Sequence, residues 1–161
     1  LPMFAPTINS FKRLVEGAWA PTTLTWGVDN RTTALRVLTS GKNSSRLETR
    51  VCGSDTNPYL AMAASLASGL YGIRKGLKLK QPATKGNGYE EFSYGKLPTT
   101  LHAATLAMKK SRLAKDLFGK EFVEHFTKTR EWEVKEFRKH VKGSKPKDIT
   151  HWELKRYFEI I

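Results

Sequence analysis

The sequence predicts an α+β domain, with antiparallel strands in the first third of the chain and a mainly helical C-terminal part. Residues 24–27, 33–38 and 45–51 are short runs rich in apolar and β-branched side chains, which favour strands. The turn sequence Gly-Lys-Asn at 41–43 separates the second run from the third, as expected for strands joined by turns. Further along the chain, capping residues and apolar residues at helical spacing predict helices instead.

The first predicted helix has clear start and stop signals. Asn57 is a residue type that caps helix N-termini, and Pro58 suits the first turn, where no backbone N–H is needed. The helix is expected to run to about Lys75 and to stop at Gly76. Its most apolar stretch, 60–70, is rich in alanine and serine, which predicts a tightly packed, buried helix.

A long surface loop and a helical tail are predicted after this helix. Residues 77–98 contain several prolines and glycines and show no periodicity, which is typical of a loop. The tail over 99–161 begins with a Thr-Thr cap. Its predicted helices cover 100–111, 112–118 and 120–141, and a last helix starts at 148–150. In the longest of them the apolar side chains that recur at helical spacing, and so predict a core stripe, are Phe122, Phe126, Val134 and Phe137.

The third predicted strand carries charged side chains on one face. Because side chains alternate along a strand, Arg46, Glu48 and Arg50 point the same way. The alternate residues at 47, 49 and 51 point to the other face, which is expected to pack on the core. The charged row is either a cross-strand ion-pair ladder without a ligand, or a floor that holds a metal through Glu48 and phosphate through the arginines.

Arginines are concentrated around this row. The planar fork of arginine binds carboxylate and phosphate bidentately and stays charged at any working pH. The cluster is therefore either a site for an anionic ligand or a basic surface whose arginines cap loops and cover apolar area. Its members are Arg13, Arg31, Arg36, Arg46 and Arg50, around the single carboxylate of Glu48.

The motifs that carry these arginines identify a family resemblance. They are NSFKRL (9–14), WGVDNR (26–31), SSRLETR (44–50) and NPYLAMAASLASGL (57–70). In this order they resemble the catalytic domain of the glutamine synthetase family, in particular the branch of γ-glutamyl-amine (polyamine) ligases and the lens protein lengsin. The chain, 1–161, is then expected to be the C-terminal part of that domain. Residues 6–75 would hold the active-site strands and a packed helix, 77–98 a loop, and 99–161 a helical tail.

The resemblance implies a role for each site residue. The implied reaction uses ATP to convert the γ-carboxylate of glutamate to a γ-glutamyl phosphate, from which an amine displaces phosphate. Phosphoryl transfer depends mainly on positioning and charge neutralisation. The resemblance implies that glutamate is bound by Arg13, Arg31 and Arg50, and that Arg31 is the catalytic residue beside the transferred phosphoryl group. It also implies that Arg36 and Arg46 contact the ATP phosphates and that Glu48 is a ligand of Mg²⁺ or Mn²⁺.

One position departs from the family pattern. Glutamine synthetases carry a glutamate just before the Ala-Pro of the 17–21 loop, where it helps to bind and deprotonate ammonium; here the residue is Trp19. An indole offers no ionic pair, although its ring face covers an apolar or cationic amine. Trp19 is therefore a candidate for the amine site and indicates an organic amine rather than ammonium. The alternatives are a packed loop anchor or lost activity.

The metal site is expected to be incomplete in these residues. In the family the other metal ligands lie upstream, and one carboxylate cannot hold a hard divalent cation, which needs several oxygen ligands. The isolated chain is therefore expected to be inactive. One alternative is a non-catalytic structural or interaction protein, similar to lengsin. The resemblance also implies a homo-oligomer of stacked rings for the full-length protein.

Composition leaves one further alternative. The net charge is +13 and the pI about 10.0, as in some nucleic-acid-binding proteins. The charge is spread along the chain and no nucleic-acid motif accompanies it, so nucleic acid is not expected as a partner. No apolar run reaches the roughly 18–20 residues needed to cross a bilayer. The lone Cys52 excludes an internal disulfide, and a cytoplasmic location is expected, with an organelle not excluded.

Overall fold

The computed structural model of the chain describes residues 1–145 and 147–158. It confirms the α+β class, with a small sheet followed by helices. The strands are β1 Trp26–Val28, β2 Leu35–Leu38 and β3 Arg46–Thr49. The helices are α1 Pro58–Arg74, α2 Leu101–Lys110, α3 Arg112–Phe118, α4 Lys120–His140 and α5 His151–Tyr157, with 3₁₀ turns at Asn9–Lys12 and Gly88–Glu90. Among the described helices, none combines the length and the apolar character of a transmembrane segment.

The sheet has the order β1-β2-β3, and one of its two pairings differs from the prediction. Strands β2 and β3 are antiparallel, as expected. Strands β1 and β2 are parallel, with Trp26 opposite Leu35, so the prediction of antiparallel strands is wrong for this pair. The reason lies in the connection 29–34, which folds back along the strand edge through Asp29, whose φ is 49°. Leu35 therefore starts beside Thr25, to whose carbonyl its N–H donates at 3.1 Å.

The uncharged face of β3 is buried only at its end. Val51 is buried and packs with Ala34 and Leu97. Leu47 is 59% exposed, so the prediction that this whole face packs on the core is wrong at that position. The β2–β3 connection projects from the body of the chain, with residues 39–47 all exposed, and no described segment covers Leu47.

The helical core lies mainly between α2 and α4. Buried side chains of α2 include Leu101 and Met108, and those of α4 include Val123, Phe126 and Val134. The predicted stripe on α4 is thus confirmed at Phe126 and Val134. The other two members of the stripe are partly buried: Phe122 stacks on Phe126, and Phe137 meets the ring of Trp152 edge-on.

Helix α1 begins and ends as predicted but is not buried. The Asn57 side chain accepts hydrogen bonds from the N–H groups of residues 59 and 60, and Gly76 follows the helix with φ 57°. Ala64 is the buried residue of α1, all of which the structure describes. Apolar residues lie all around the helix, whereas the other described segments pack against only one narrow face of it. Its exposed large apolar side chains are Tyr59, Met62, Leu66, Leu70 and Ile73.

The short helix α5 depends on its N-terminal cap. Thr150 Oγ1 accepts a hydrogen bond from the Glu153 N–H at 3.3 Å, and Glu153 Oε2 accepts from the Thr150 N–H at 3.0 Å. Because this reciprocal pair satisfies two N–H groups, Thr150→Ala is expected to lower the free energy of unfolding by about 1 kcal/mol. Urea denaturation measures the change. Thr150→Ser keeps the hydroxyl and serves as control; equal stability of the Ala and Ser variants would contradict the expectation.

Candidate active site

The carboxylate of Glu48 lies at the centre of the arginine cluster. Arg36 Nη1 donates to Glu48 Oε2 at 3.0 Å, and Arg46 Nε donates to Oε1 at 3.2 Å. Arg50 Nη1 lies 3.8 Å from Oε2. Arg46 and Glu48 of β3 and Arg50, just after its end, therefore share one face, as the alternation predicts, and β2 adds Arg36 from the neighbouring strand.

Arg36 is also paired with a second acid, Asp29, which was not among the predicted site residues. Arg36 Nε donates to Asp29 Oδ1 at 3.1 Å, and Nη2 contacts the same oxygen. The hydrogen bonds from Arg36 hold the pKa values of Asp29 and Glu48 below their usual range, so both carboxylates stay ionised at neutral pH. One signal in the sequence points to Asp29: it is the single acid within the WGVDNR motif.

Arg50 links separate segments of the site through their backbone carbonyls. Its Nη2 donates to the carbonyl of Trp19 at 2.7 Å, and its Nε donates to that of Arg31 at 3.0 Å. Arg13 Nη2 in turn donates to the carbonyls of Arg50 at 3.3 Å and Cys52 at 2.7 Å. The structure thus joins all the predicted site residues into one connected group, with Arg50 at its hub.

Two arginines of this group keep donors that no described residue uses. Arg13 Nε is buried and has no hydrogen-bond partner among the described residues. The side chain of Arg31 is exposed, and the described part of the chain gives it no ion pair. By contrast, Arg36 and Arg50 are already engaged. An anionic ligand would therefore find free, exposed donors at Arg31.

An open cavity of about 510 Å³ lies beside this group. Trp19 and Arg31 both line it, together with Val28, residues 29–32 and the loop segment 83–86. Trp19 is 65% exposed and has a φ of 52°. This exposure does not fit a packed loop anchor, because the indole covers the cavity instead of entering the core.

The cavity wall formed by 83–86 is fixed to β1 and the following turn. Asn30 Nδ2 donates to the carbonyls of Thr84 at 3.2 Å and Gly86 at 2.8 Å, while the Thr84 N–H donates to the Trp26 carbonyl at 2.8 Å. A Cβ at Gly27 would lie 3.0 Å from the Thr84 carbonyl oxygen, so this close approach requires glycine. The family resemblance placed the predicted loop 77–98 near the substrate entrance, but no residue pattern indicated that segment 83–86 is the part that lines this cavity.

The described residues do not form a metal site by themselves. They contain no group of three or more His, Cys, Asp or Glu side chains placed to hold an ion. Both oxygens of Glu48 accept from arginines, and Mg²⁺ or Mn²⁺ needs several oxygen ligands. Glu48 therefore fits a divalent cation only as one ligand among others.

Comparisons with known proteins agree with this architecture. The family model described as "Glutamine synthetase, catalytic domain" matches residues 1–157. Type-1 glutamine synthetase 2 of Dictyostelium discoideum is 52% identical over 164 residues, which cover 100% of this chain and 30% of that protein. The glutamate–isopropylamine ligase of a Pseudomonas species is 41% identical and is matched over 99% of this chain and 33% of its own length.

Two further similarities extend the comparison. The γ-glutamylethanolamide synthetase of Streptomyces coelicolor is 44% identical, over 98% of this chain and 32% of its own length. A solved complex of GmaS with ADP superposes with a TM-score of 0.72 at 31% identity, covering 96% of this chain and 35% of that one. The chain spans about a third of the length of these relatives. It belongs to the glutamine synthetase family, as part of the catalytic domain.

Proposed function

We propose that this chain is part of an ATP-dependent ligase that joins the γ-carboxylate of glutamate to an organic amine through a γ-glutamyl phosphate. One observation carries the proposal: Trp19 and the free guanidinium of Arg31 line the same cavity, and Arg50 holds the backbone of both. The names of two relatives support the reaction class, since one joins glutamate to isopropylamine and the other makes γ-glutamylethanolamide.

In the proposed first step, the γ-carboxylate oxygen of glutamate attacks the terminal phosphorus of ATP, and ADP leaves. Arg31 supplies positive charge where charge builds up on the transferred phosphoryl group. Arg13 is proposed to bind the glutamate carboxylate, and its place beside Arg50, to whose carbonyl its Nη2 donates, supports this role. Arg36 and Arg46 are proposed to contact the nucleotide phosphates. Arg36 would do so from a fixed position, because Asp29 and Glu48 hold its guanidinium on two sides.

In the proposed second step, the nitrogen of the amine attacks the acyl carbon, and phosphate leaves. The position that carries a carboxylate in glutamine synthetases is Trp19, which offers a ring face without charge. The ring attracts any cationic amine, but an amine with an apolar part gains additional apolar contact with it that ammonium cannot make. The proposed amine is therefore organic.

The remaining parts of the proposal concern what the chain needs from elsewhere. Glu48 would be one ligand of Mg²⁺ or Mn²⁺, an ion that neutralises phosphate charge. Because the described residues hold no complete metal site, we propose that they do not turn over alone. A homo-oligomer is also proposed; the exposed apolar side chains of α1 support burial against further polypeptide.

The rival based on nucleic-acid binding loses support from the site geometry. Arg36, Arg46 and Arg50 all face Glu48 within ion-pair distance, and Arg36 also pairs with Asp29. Two carboxylates therefore neutralise most of the charge of these three arginines, which leaves less open basic surface there for a phosphate backbone.

The test is phosphate release from ATP by the intact native polypeptide that carries these residues. Release is expected to require both glutamate and an amine, with a higher kcat/KM for isopropylamine or ethanolamine than for ammonium. Arg31→Ala is expected to lower kcat about 100-fold, as for loss of a transition-state donor. Arg138→Ala, at an exposed position near the end of α4, is the matched control. No turnover with any amine would instead favour a non-catalytic, lengsin-like protein.

A further inference from the structure

The cavity beside Trp19 has an unusual balance of charge for an amine site. Its charged lining residues are two cations, Arg31 and Lys85, and one carboxylate, Asp29. Neither cation forms an ion pair with any residue that the structure describes. The carboxylate is already paired with Arg36, which lies outside the cavity lining. Because Arg31 is proposed to face the phosphoryl group, Lys85 is the cation of this lining that a cationic amine meets.

Lys85 is held at this wall by the backbone around it. The preceding residue, Thr84, bonds to the Trp26 carbonyl through its N–H and to Asn30 through its carbonyl. The carbonyl of the following residue, Gly86, accepts from the same Asn30 side chain. With both neighbours fixed, the backbone of Lys85 stays at the cavity edge, and its exposed side chain keeps the ammonium group near the cavity and in contact with water.

The rest of the lining is suited to a short uncharged group. Trp19, Val28 and Ala83 provide apolar surface. In the proposed reaction, the attacking nitrogen must be uncharged at the moment of attack. At that moment a monoamine has no other charged group in the cavity. A diamine or polyamine keeps a second ammonium group, which the ammonium of Lys85 repels.

We propose that this cavity admits short monoamines with an uncharged tail and rejects diamines and polyamines, and that Lys85 is a specificity-determining residue for this choice. The inference rests on the proposed ligase function and deepens it. It narrows the range of amine substrates expected from the family resemblance. The branch that the sequence resembles includes polyamine ligases, whereas the charge of this cavity opposes a polyamine.

The test compares kcat/KM for isopropylamine and ethanolamine with that for 1,4-diaminobutane and spermidine, using the intact native polypeptide. The native protein is expected to prefer the monoamines at least tenfold. Lys85→Glu is expected to reduce this preference about tenfold, mainly by lowering KM for the diamines. Lys78→Glu makes the same charge change at an exposed position outside the cavity lining and is expected to keep the native preference.

Salt gives an independent readout. Because Lys85 is solvent-exposed, the preference of the native protein is expected to shrink as ionic strength rises. A native preference for diamines, or equal ratios in Lys85→Glu and Lys78→Glu, would overturn the inference. Absence of ligation with every amine in the native protein would count against the proposed function itself, and thermal melting of both variants verifies that they fold.

Discussion

Arg50→Ala is expected to abolish ligation. The Arg50 side chain is mostly buried, with 18% exposure, and it donates to the carbonyls of Trp19 and Arg31, which line the cavity. Its removal frees both segments at once and also takes one positive charge from beside Glu48. Since a misplacement of about 1 Å costs on the order of 100-fold in rate, a loss of kcat/KM of at least about 100-fold is expected.

The variants at this position separate positioning from direct binding. Arg50→Lys keeps the charge, but a single ammonium group cannot reproduce the fork that reaches both carbonyls, so little rescue is expected. If Arg50 acts by positioning, KM for the amine and for glutamate both rise; if it only binds glutamate, KM for the amine is unchanged. The measurement is steady-state phosphate release, with Arg138→Ala as control. Normal turnover by Arg50→Ala would refute both roles.

The features that the sequence predicted well are those encoded by neighbouring residues. The start of α1 follows from Asn57 and Pro58, since a cap needs only a side-chain oxygen and the next two or three N–H groups. The row of Arg46, Glu48 and Arg50 follows from the alternation along a single strand. This row of the arginine cluster could therefore be predicted without knowledge of any tertiary contact.

The features that were not predicted depend on how separate segments pack together. The parallel pairing of β1 with β2 comes from the path of the 29–34 connection, and its hydrogen bonds leave no periodic pattern. Lys85 reaches the cavity because Asn30, more than fifty residues away, binds the loop backbone. The exposure of α1 was missed for a similar reason: an apolar helix sequence does not state which of its faces other segments cover.

The role of Arg50 illustrates the limit most clearly. Its position in the RLETR motif indicated a charged side chain on the site face, and the structure confirms that orientation through its approach to Glu48. Its bonds to the carbonyls of residues 19 and 31 are invisible in the sequence, because any residue supplies a carbonyl. Side-chain identity therefore predicted where the charge lies but not which backbone segments it holds.

A buried ionic network in the helical tail holds the segment that leads into Arg13. Glu133 on α4 is 4% exposed and accepts from Arg156 Nε at 3.2 Å and from the Tyr157 hydroxyl at 2.7 Å. Tyr157 in turn accepts from the Ile8 N–H at 3.3 Å. Burial, together with the hydrogen bond to Glu133, raises the pKa of Tyr157, so its hydroxyl remains a donor at any working pH. The NSFK turn is therefore anchored to α5.

Glu133→Ala is expected to destabilise the fold by about 2 kcal/mol, because it leaves the partly buried Tyr157 hydroxyl without its acceptor and removes the ion pair of Arg156, whose side chain is 39% exposed. Glu133→Gln keeps an acceptor oxygen and the volume, so a smaller loss is expected. Glu124→Ala on the same helix removes a side chain that is 46% exposed and whose ion-pair partner, Lys120, lies 3.8 Å away; a change below about 0.5 kcal/mol is expected there. Urea denaturation measures the free energy of unfolding of all three variants, and their m-values are expected to be equal. Equal midpoints for Glu133→Ala and Glu124→Ala would show that the network does not hold α5 in place, and the anchoring of the turn before Arg13 would then need another explanation.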